Sequence, residues 1–261
     1  RAIRAVYDGQ NLTYEEIHRF ENVPIEKDGH LCWDVETLLK EIHTAIQKAG
    51  TFDSLGFDTW GVDFGLLDTD GHLLANPVHY RDARTNGKPE QAAARMPAEE
   101  LYAHTGNQIM AINTLFQLLA LREQDPELLQ KAAQILFMPD LFAALLGAEP
   151  VCERSIASTS QMLDPRTGQW SREVLAAYGL NANRFAPLVA SGTVTGTLAN
   201  GAKIIAVAGH DTQCASAAMP CAEEDAEHTA FLSCGTWSLL GTELDAPILT
   251  ADSCQSGLSN E

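Results

Sequence analysis

The run Lys203-Ile204-Ile205-Ala206-Val207-Ala208-Gly209-His210-Asp211-Thr212-Gln213 sets an apolar, β-branched strand directly before a small-residue helix that opens with Cys214, Ala215, Ser216, Ala217 and Ala218. A strand that ends in polar groups and feeds a helix is the unit of an open α/β sheet, and such sheets bind ligands beyond the carboxyl ends of their strands. Further on, Ala230 to Thr242 reads as two apolar strands folded around Ser233-Cys234-Gly235-Thr236, a turn whose free backbone N–H groups can hold an anion. A carboxylate at Asp211 and an anion cradle in tandem point to phosphoryl transfer.

The rest of the chain fits an α/β plan. Ala2, Arg4 and Val6 mark an opening strand, Asp8-Gly9-Gln10-Asn11 a turn, and Leu12 to Arg19 a second strand. Trp33-Asp34 begins a helix capped by Asp34, with Val35, Leu38, Leu39, Ile42, Ala45 and Ile46 on its apolar face and Gly50 at its end. Ser54 to Asp68 reads as strand, bend and strand, closed by Asp68-Thr69-Asp70-Gly71, after which Leu73 to His79 is expected to pair back. From about Asn86 to Leu180 the pattern turns helical, with helices expected around Pro97–Tyr102, Asn113–Leu121, Pro126–Leu129 and Pro139–Leu146. This span is expected to be a helical insertion beside the sheet.

Composition narrows the partners. The 261 residues carry 35 acidic against 17 basic groups, a formal charge of -18, so the mean field repels nucleic acid and anionic lipid. ATP stays within reach, because a metal ion and backbone amides can supply local positive potential. Six cysteines without a C-x-x-C pair or zinc spacing read as reduced cytosolic thiols. No run approaches the ~18 apolar residues of a membrane span, and the opening residues lack the apolar core of a secretion signal. These features lead to an expected cytoplasmic location, with no nucleic-acid or membrane partner.

Each motif has a plain alternative. Asp211 at a strand-to-helix junction can be an N-cap; His210 and Thr212 beside it favour instead a site for a polyhydroxylated ligand. Ser233-Cys234-Gly235-Thr236 can be an ordinary hairpin turn, and Trp237 a core residue. Asp58-Thr59-Trp60-Gly61-Val62-Asp63 puts two carboxylates, a hydroxyl, an indole and a glycine inside an apolar sheet segment; the alternative is a bulge with both acids facing solvent. Tyr80 in Tyr80-Arg81-Asp82-Ala83-Arg84-Thr85 can stack on a sugar, or the segment can hold an internal ion pair.

Taken together these residues resemble the rhamnulokinase branch of the FGGY carbohydrate kinases. The resemblance runs collinearly through Phe57-Asp58-Thr59-Trp60-Gly61-Val62-Asp63-Phe64, Tyr80 to Gly87, Asn113-Thr114-Leu115-Phe116-Gln117-Leu118, Phe137-Met138-Pro139-Asp140, Gly209-His210-Asp211-Thr212 and Ser233 to Ser238. It implies an α/β, ribonuclease H-like lobe of the actin and hexokinase type with a helical insertion. Residues 1–245 would be the N-terminal lobe, with the insertion over about 86–188, and residues 246–261 a connector toward a C-terminal lobe. Arg1 would be the last residue of the family's first phosphate loop, so that the chain corresponds to part of a longer protein and is inactive alone.

The resemblance also assigns roles. Asp211 would be the general base for the 1-hydroxyl of a ketose, L-rhamnulose first of all. His210, Thr212, the Gly61 backbone and Tyr80 would bind the sugar, while Thr236 and Gly235 would contact the phosphates of ATP used with Mg²⁺; no metal ligand is assigned. L-fuculose or a pentulose are alternative substrates, a non-catalytic sugar or nucleotide sensor is an alternative of another class, and a hydrolase using Ser233 or Cys234 ranks last for want of a Gly-x-Ser-x-Gly elbow.

Overall fold

A computed structural model describes residues 1–220, 222, 225, 228–235 and 238–260. The expected opening hairpin is present, Ala2–Tyr7 pairing antiparallel with Leu12–His18. The first long helix spans Val35–Ala49; the Asp34 side chain accepts from the Thr37 backbone N–H, and Gly50 ends it with φ 67°, a left-handed value that favours glycine. Val35, Leu38 and Ala45 are buried on its inner face.

Two hydrophobic cores flank one strand. In Phe64–Leu67, alternation sends Phe64 and Leu66 into a core with Leu115, Phe116, Leu118 and Tyr178. Leu67 joins the other core, with Trp33, Leu136, Phe137, Met138 and Leu141. Gly65 packs closely there: a Cβ on it would lie 2.6 Å from Leu141 Cδ2, so the leucine would have to shift. This strand's ladder partner is Gln134–Phe137, antiparallel, and the residues of that strand divide between the same two cores.

The pairing of Phe64–Leu67 with Gln134–Phe137 revises two expectations. The span from 86 to 188 is rich in helices, among them Ala98–Thr105, Thr114–Gln124, Pro126–Lys131 and Met138–Leu145, but it also contributes this strand. Leu73 to His79 forms no continuous strand, touching its neighbours only at the bridges Leu67↔Leu73 and Cys32↔Val78. Pro77 explains the break, since proline has no N–H to give a ladder and its carbonyl instead accepts from Trp33 N.

The segment that ends at the candidate site is built by parallel pairing. Lys203–Ile205 lies antiparallel to Val194–Thr197 and parallel to Ser54–Leu55. The parallel course continues to the bridge Thr59↔His210, where Thr59 N donates to Gly209 O and Asp211 N donates to Thr59 O, both at 3.1 Å. Two motifs 150 residues apart in sequence thus meet at the carboxyl ends of adjacent strands. The five described free cysteines are Cys32, Cys152, Cys214, Cys234 and Cys254, and among the described residues no helix is long and apolar enough to cross a membrane.

Asp140, in the helix Met138–Leu145, is 5% exposed and its Oδ2 accepts the Glu153 backbone N–H. Burial, aided by the Glu153 charge and opposed by that N–H bond, pushes its carboxyl up to about 8. The folded chain therefore keeps a proton that the unfolded chain releases above about pH 4, and stability falls as pH rises from there toward 8. Asp140→Asn removes this slope: in urea titrations at pH 5 and pH 8, the variant should gain on the parent by a few kcal/mol, at most ~1.4 kcal/mol per pH unit.

Candidate functional site

Asp211 is the first residue of the helix Asp211–Ala217; the N-cap position falls to His210, which makes no capping side-chain bond. The N-cap alternative for Asp211 is therefore corrected by one residue, and its carboxylate is left 69% exposed. Oδ1 accepts from the Thr212 backbone N–H at 2.8 Å and lies 3.5 Å from His210 Nε2, so Thr212 and the His210 ring both border the carboxylate. Gly209 beneath them is fixed by close packing: a Cβ would come within 2.6 Å of Pro139 Cγ. The Pro139-Asp140 motif thus supports the junction from below.

Across the parallel pairing stands the segment Asp58–Asp63. Asp58 has an exposed side chain, and partial desolvation followed by the nearby Asp211 charge pushes its carboxyl up. Gly61, Val62 and Asp63 form a γ-turn closed by Asp63 N donating to Gly61 O at 2.9 Å, with Val62 at φ 67°. A β-branched residue rarely takes that conformation, and three neighbours hold it here. Val62 N donates to Thr159 Oγ1 at 3.0 Å, while Val62 O accepts from Thr114 Oγ1 at 2.7 Å and Gln117 Nε2 at 3.3 Å. Gly61 leaves room for Thr159, whose Cγ2 would be 3.0 Å from a Cβ there.

Of the two acids expected to face solvent in the bulge alternative, Asp58 is exposed but Asp63 is not. Asp63 is fully buried, and its carboxylate accepts four N–H bonds: Trp33 Nε1 at 2.6 Å, Trp60 Nε1 at 3.0 Å and the Tyr80 backbone at 3.2 Å on Oδ2, with Gln117 Nε2 at 2.9 Å on Oδ1. Burial pushes this carboxyl up to about 6, against the Trp33, Gln117, Trp60 and Tyr80 bonds that favour the charged form. Gln117 Oε1 in turn accepts from the Arg84 guanidinium at 2.8 Å, which turns the amide N–H₂ toward Asp63. All four partners donate N–H groups, which suits the charged form, and Arg84 faces it through the Gln117 amide.

The internal ion pair considered for residues 80–85 is not formed between Asp82 and Arg84. Asp82 accepts from the backbone N–H groups of Leu31 and Arg84 and contacts His30 Nδ1, while the Arg84 side chain goes to Gln117. Tyr80 is half-buried at the end of a run of rings: Trp60 to Trp33 at 4.2 Å, Trp33 to His79 at 4.2 Å, His79 to Tyr80 at 4.5 Å between centroids.

The hairpin of Ala230–Cys234 with Ser238–Thr242 forms as expected and packs against the Asp211–Ala217 helix, with Gly235 exposed in its turn. Thr236 and Trp237 lie outside the described residues. Among the described residues, the acidic group compatible in spacing with a metal is Asp68, Asp70 and His72, at a surface turn and not at Asp211. Sequence reasoning missed Trp33, Gln117 and Thr159. A polar Gln117 inside a helix turn of buried leucines was the available signal, since a buried amide demands partners.

A family model described as the N-terminal domain of the FGGY family of carbohydrate kinases matches residues 5–217. The chain belongs to that family of sugar kinases. Within it the sequence stands with the rhamnulokinase branch: it is 40% identical to a rhamnulokinase of Bacteroides thetaiotaomicron over an alignment that takes in all of this chain and 56% of that protein. The fold is that of a ligand-bound xylulose kinase from Lactobacillus acidophilus, with a TM-score of 0.77 at 17% identity over 93% of this chain and 51% of that one. A carbohydrate kinase from Novosphingobium aromaticivorans is similarly alike, with a TM-score of 0.75 at 22% identity over 95% and 55% of the two chains. The chain spans about half the length of these relatives.

The packing under Asp211 makes a direct test. Gly209→Ala should destabilise the chain by about 1–3 kcal/mol, the usual cost of forcing a methyl into a filled space, read as a lowered midpoint in thermal or urea unfolding.

Proposed function

We propose that this chain is the N-terminal lobe, residues 1–245 with residues 246–261 leading onward, of an ATP-dependent ketose kinase that phosphorylates the 1-hydroxyl of L-rhamnulose. The observation that carries the reading is the parallel meeting of Thr59 with His210, which ties the residue that carries the exposed carboxylate, Asp211, by its backbone to the residue just before Trp60-Gly61. The 40% identity to a rhamnulokinase supports the choice of sugar. L-fuculose, a pentulose and a sensor of the same fold are the other readings, and an exposed, uncapped carboxylate at this junction favours turnover over mere sensing.

In this reading His210, Thr212 and the Gly61 backbone orient the sugar, and Tyr80 forms part of the wall. Asp211 takes the proton from the 1-hydroxyl as that oxygen attacks phosphorus. ATP supplies the phosphoryl group. Gly235 fits it: the residue is exposed and its hairpin packs on the Asp211 helix, so its N–H can meet a phosphate oxygen, and in this reading Thr236 is the second phosphate contact. Mg²⁺ would accompany the nucleotide, with ligands beyond the residues assigned here. A cytoplasmic location belongs to the same reading, and the five described free cysteines agree with it.

Asp211→Asn in the full-length protein should lower kcat with L-rhamnulose by about 10²–10⁴-fold, the usual contribution of general-base assistance, while the sugar's dissociation constant, measured by calorimetry, changes little. Near-normal turnover would remove Asp211 from the role of base, and absence of ketose-dependent ADP release from the parent protein would favour the sensor.

A further inference from the structure

The proposed roles leave unused a buried acid beside the site that accepts four hydrogen bonds. Asp63 touches none of the groups assigned to sugar or phosphate through its side chain except the Tyr80 backbone, yet it is fully buried and accepts from four donors. Burying a charge is costly unless each lone pair is used, so a carboxylate kept there has to be answered by structure it holds in place. What it holds is specific. Oδ2 gathers both indoles and the Tyr80 amide, three groups from three separate stretches of chain: the loop before the first long helix, the Trp60-Gly61 turn, and the segment after Pro77.

These donors sit at or beside a continuous series of rings. Trp33 and His79 are its buried middle, at 6% and 7% exposure, whereas Trp60 and Tyr80 at its two ends are partly open. Trp60 lies between Gly61 and Thr59, and Thr59 pairs with His210 at the Asp211 junction. Indole faces and a phenol face are surfaces on which the C–H side of a sugar packs, and their value depends on being fixed before the ligand arrives. Nothing but Asp63 bonds to both indole N–H groups among the described residues.

We infer that Asp63 is a positioning residue which clamps Trp60, Trp33 and Tyr80 into the aromatic wall of the sugar site, acting on sugar affinity and not on the phosphoryl step. The inference rests on the proposed sugar-kinase reading for its kinetic consequence, but the clamp itself concerns the rings alone. An amide at position 63 offers one acceptor oxygen and brings its own N–H₂, so it must turn donors against either Gln117 or the indoles.

The test compares the full-length parent with Asp63→Asn, Trp33→Phe and the double variant, by steady-state kinetics with L-rhamnulose and ATP and by acrylamide quenching of tryptophan emission. Loss of one charge-assisted bond corresponds to about a tenfold change, so Asp63→Asn should raise the sugar KM about tenfold, leave the ATP KM within about twofold, and raise quenching. Trp33→Phe, which deletes a single donor and keeps an aromatic ring, should raise the sugar KM by less. The double variant should be no worse than Asp63→Asn, because Trp33 acts through the carboxylate. Fully additive effects, an equal rise in both KM values, or an unchanged sugar KM in Trp33→Phe would each overturn the clamp. Trp33→Phe decides the matter if Asp63→Asn does not fold. If the parent phosphorylates no ketose, the kinase reading fails by itself, and the quenching comparison still decides the clamp: unchanged quenching in Asp63→Asn refutes it.

Discussion

A single buried carboxylate organises the region where the chain's distant segments meet. Asp63 draws N–H groups from Trp33, Trp60, Tyr80 and Gln117 onto two oxygens. Removing it would take the shared acceptor from two indole donors and a backbone N–H, while Gln117 Nε2 would keep its carbonyl partners Val62 O and Ile112 O; the loss is larger than the net worth of any one of those bonds. Gln117 extends the arrangement to Arg84, so that charge is balanced across a neutral amide and neither ion needs solvent.

The same network explains a strained backbone. The γ-turn at Val62 survives because Thr159, Thr114 and Gln117 use both of its polar groups while Asp63, the next residue, is anchored by four more bonds. Strain of this kind persists only where surroundings over-determine it. Its effect is to end the apolar strand geometry abruptly at Trp60-Gly61, beside Thr59, which is fixed to Gly209 and Asp211. Rigidity in one half of the site is therefore coupled to the position of Asp211 in the other through two backbone hydrogen bonds.

Much of this was legible from residue order because it depends on local rules. Asp34 as a cap, Gly50 as a helix end, the hairpin around Gly235 and the strand-to-helix passage at Asp211 each follow from short-range chemistry. The failures were non-local. Leu73 to His79 keeps only two bridges because Pro77 interrupts it, and the ladder partner of Phe64–Leu67 is Gln134–Phe137, from a span that reads as helical. Asp58 and Asp63 look alike in sequence; one is exposed near Asp211 and the other sealed under two tryptophans, a distinction made entirely by what packs above them.

The sequence by itself determined the α/β class, the family resemblance and the chemical groups available at the site, since these depend on residue types, periodicity and motif order. Tertiary structure alone decided which groups share a space. The parallel meeting of Thr59 with His210 and the capture of Trp33 by Asp63 each join residues far apart along the chain, and such contacts arise from the shared burial of two cores on either side of Phe64–Leu67. No local propensity encodes them, because the free energy that selects them belongs to packing and to the pairing of buried polar groups.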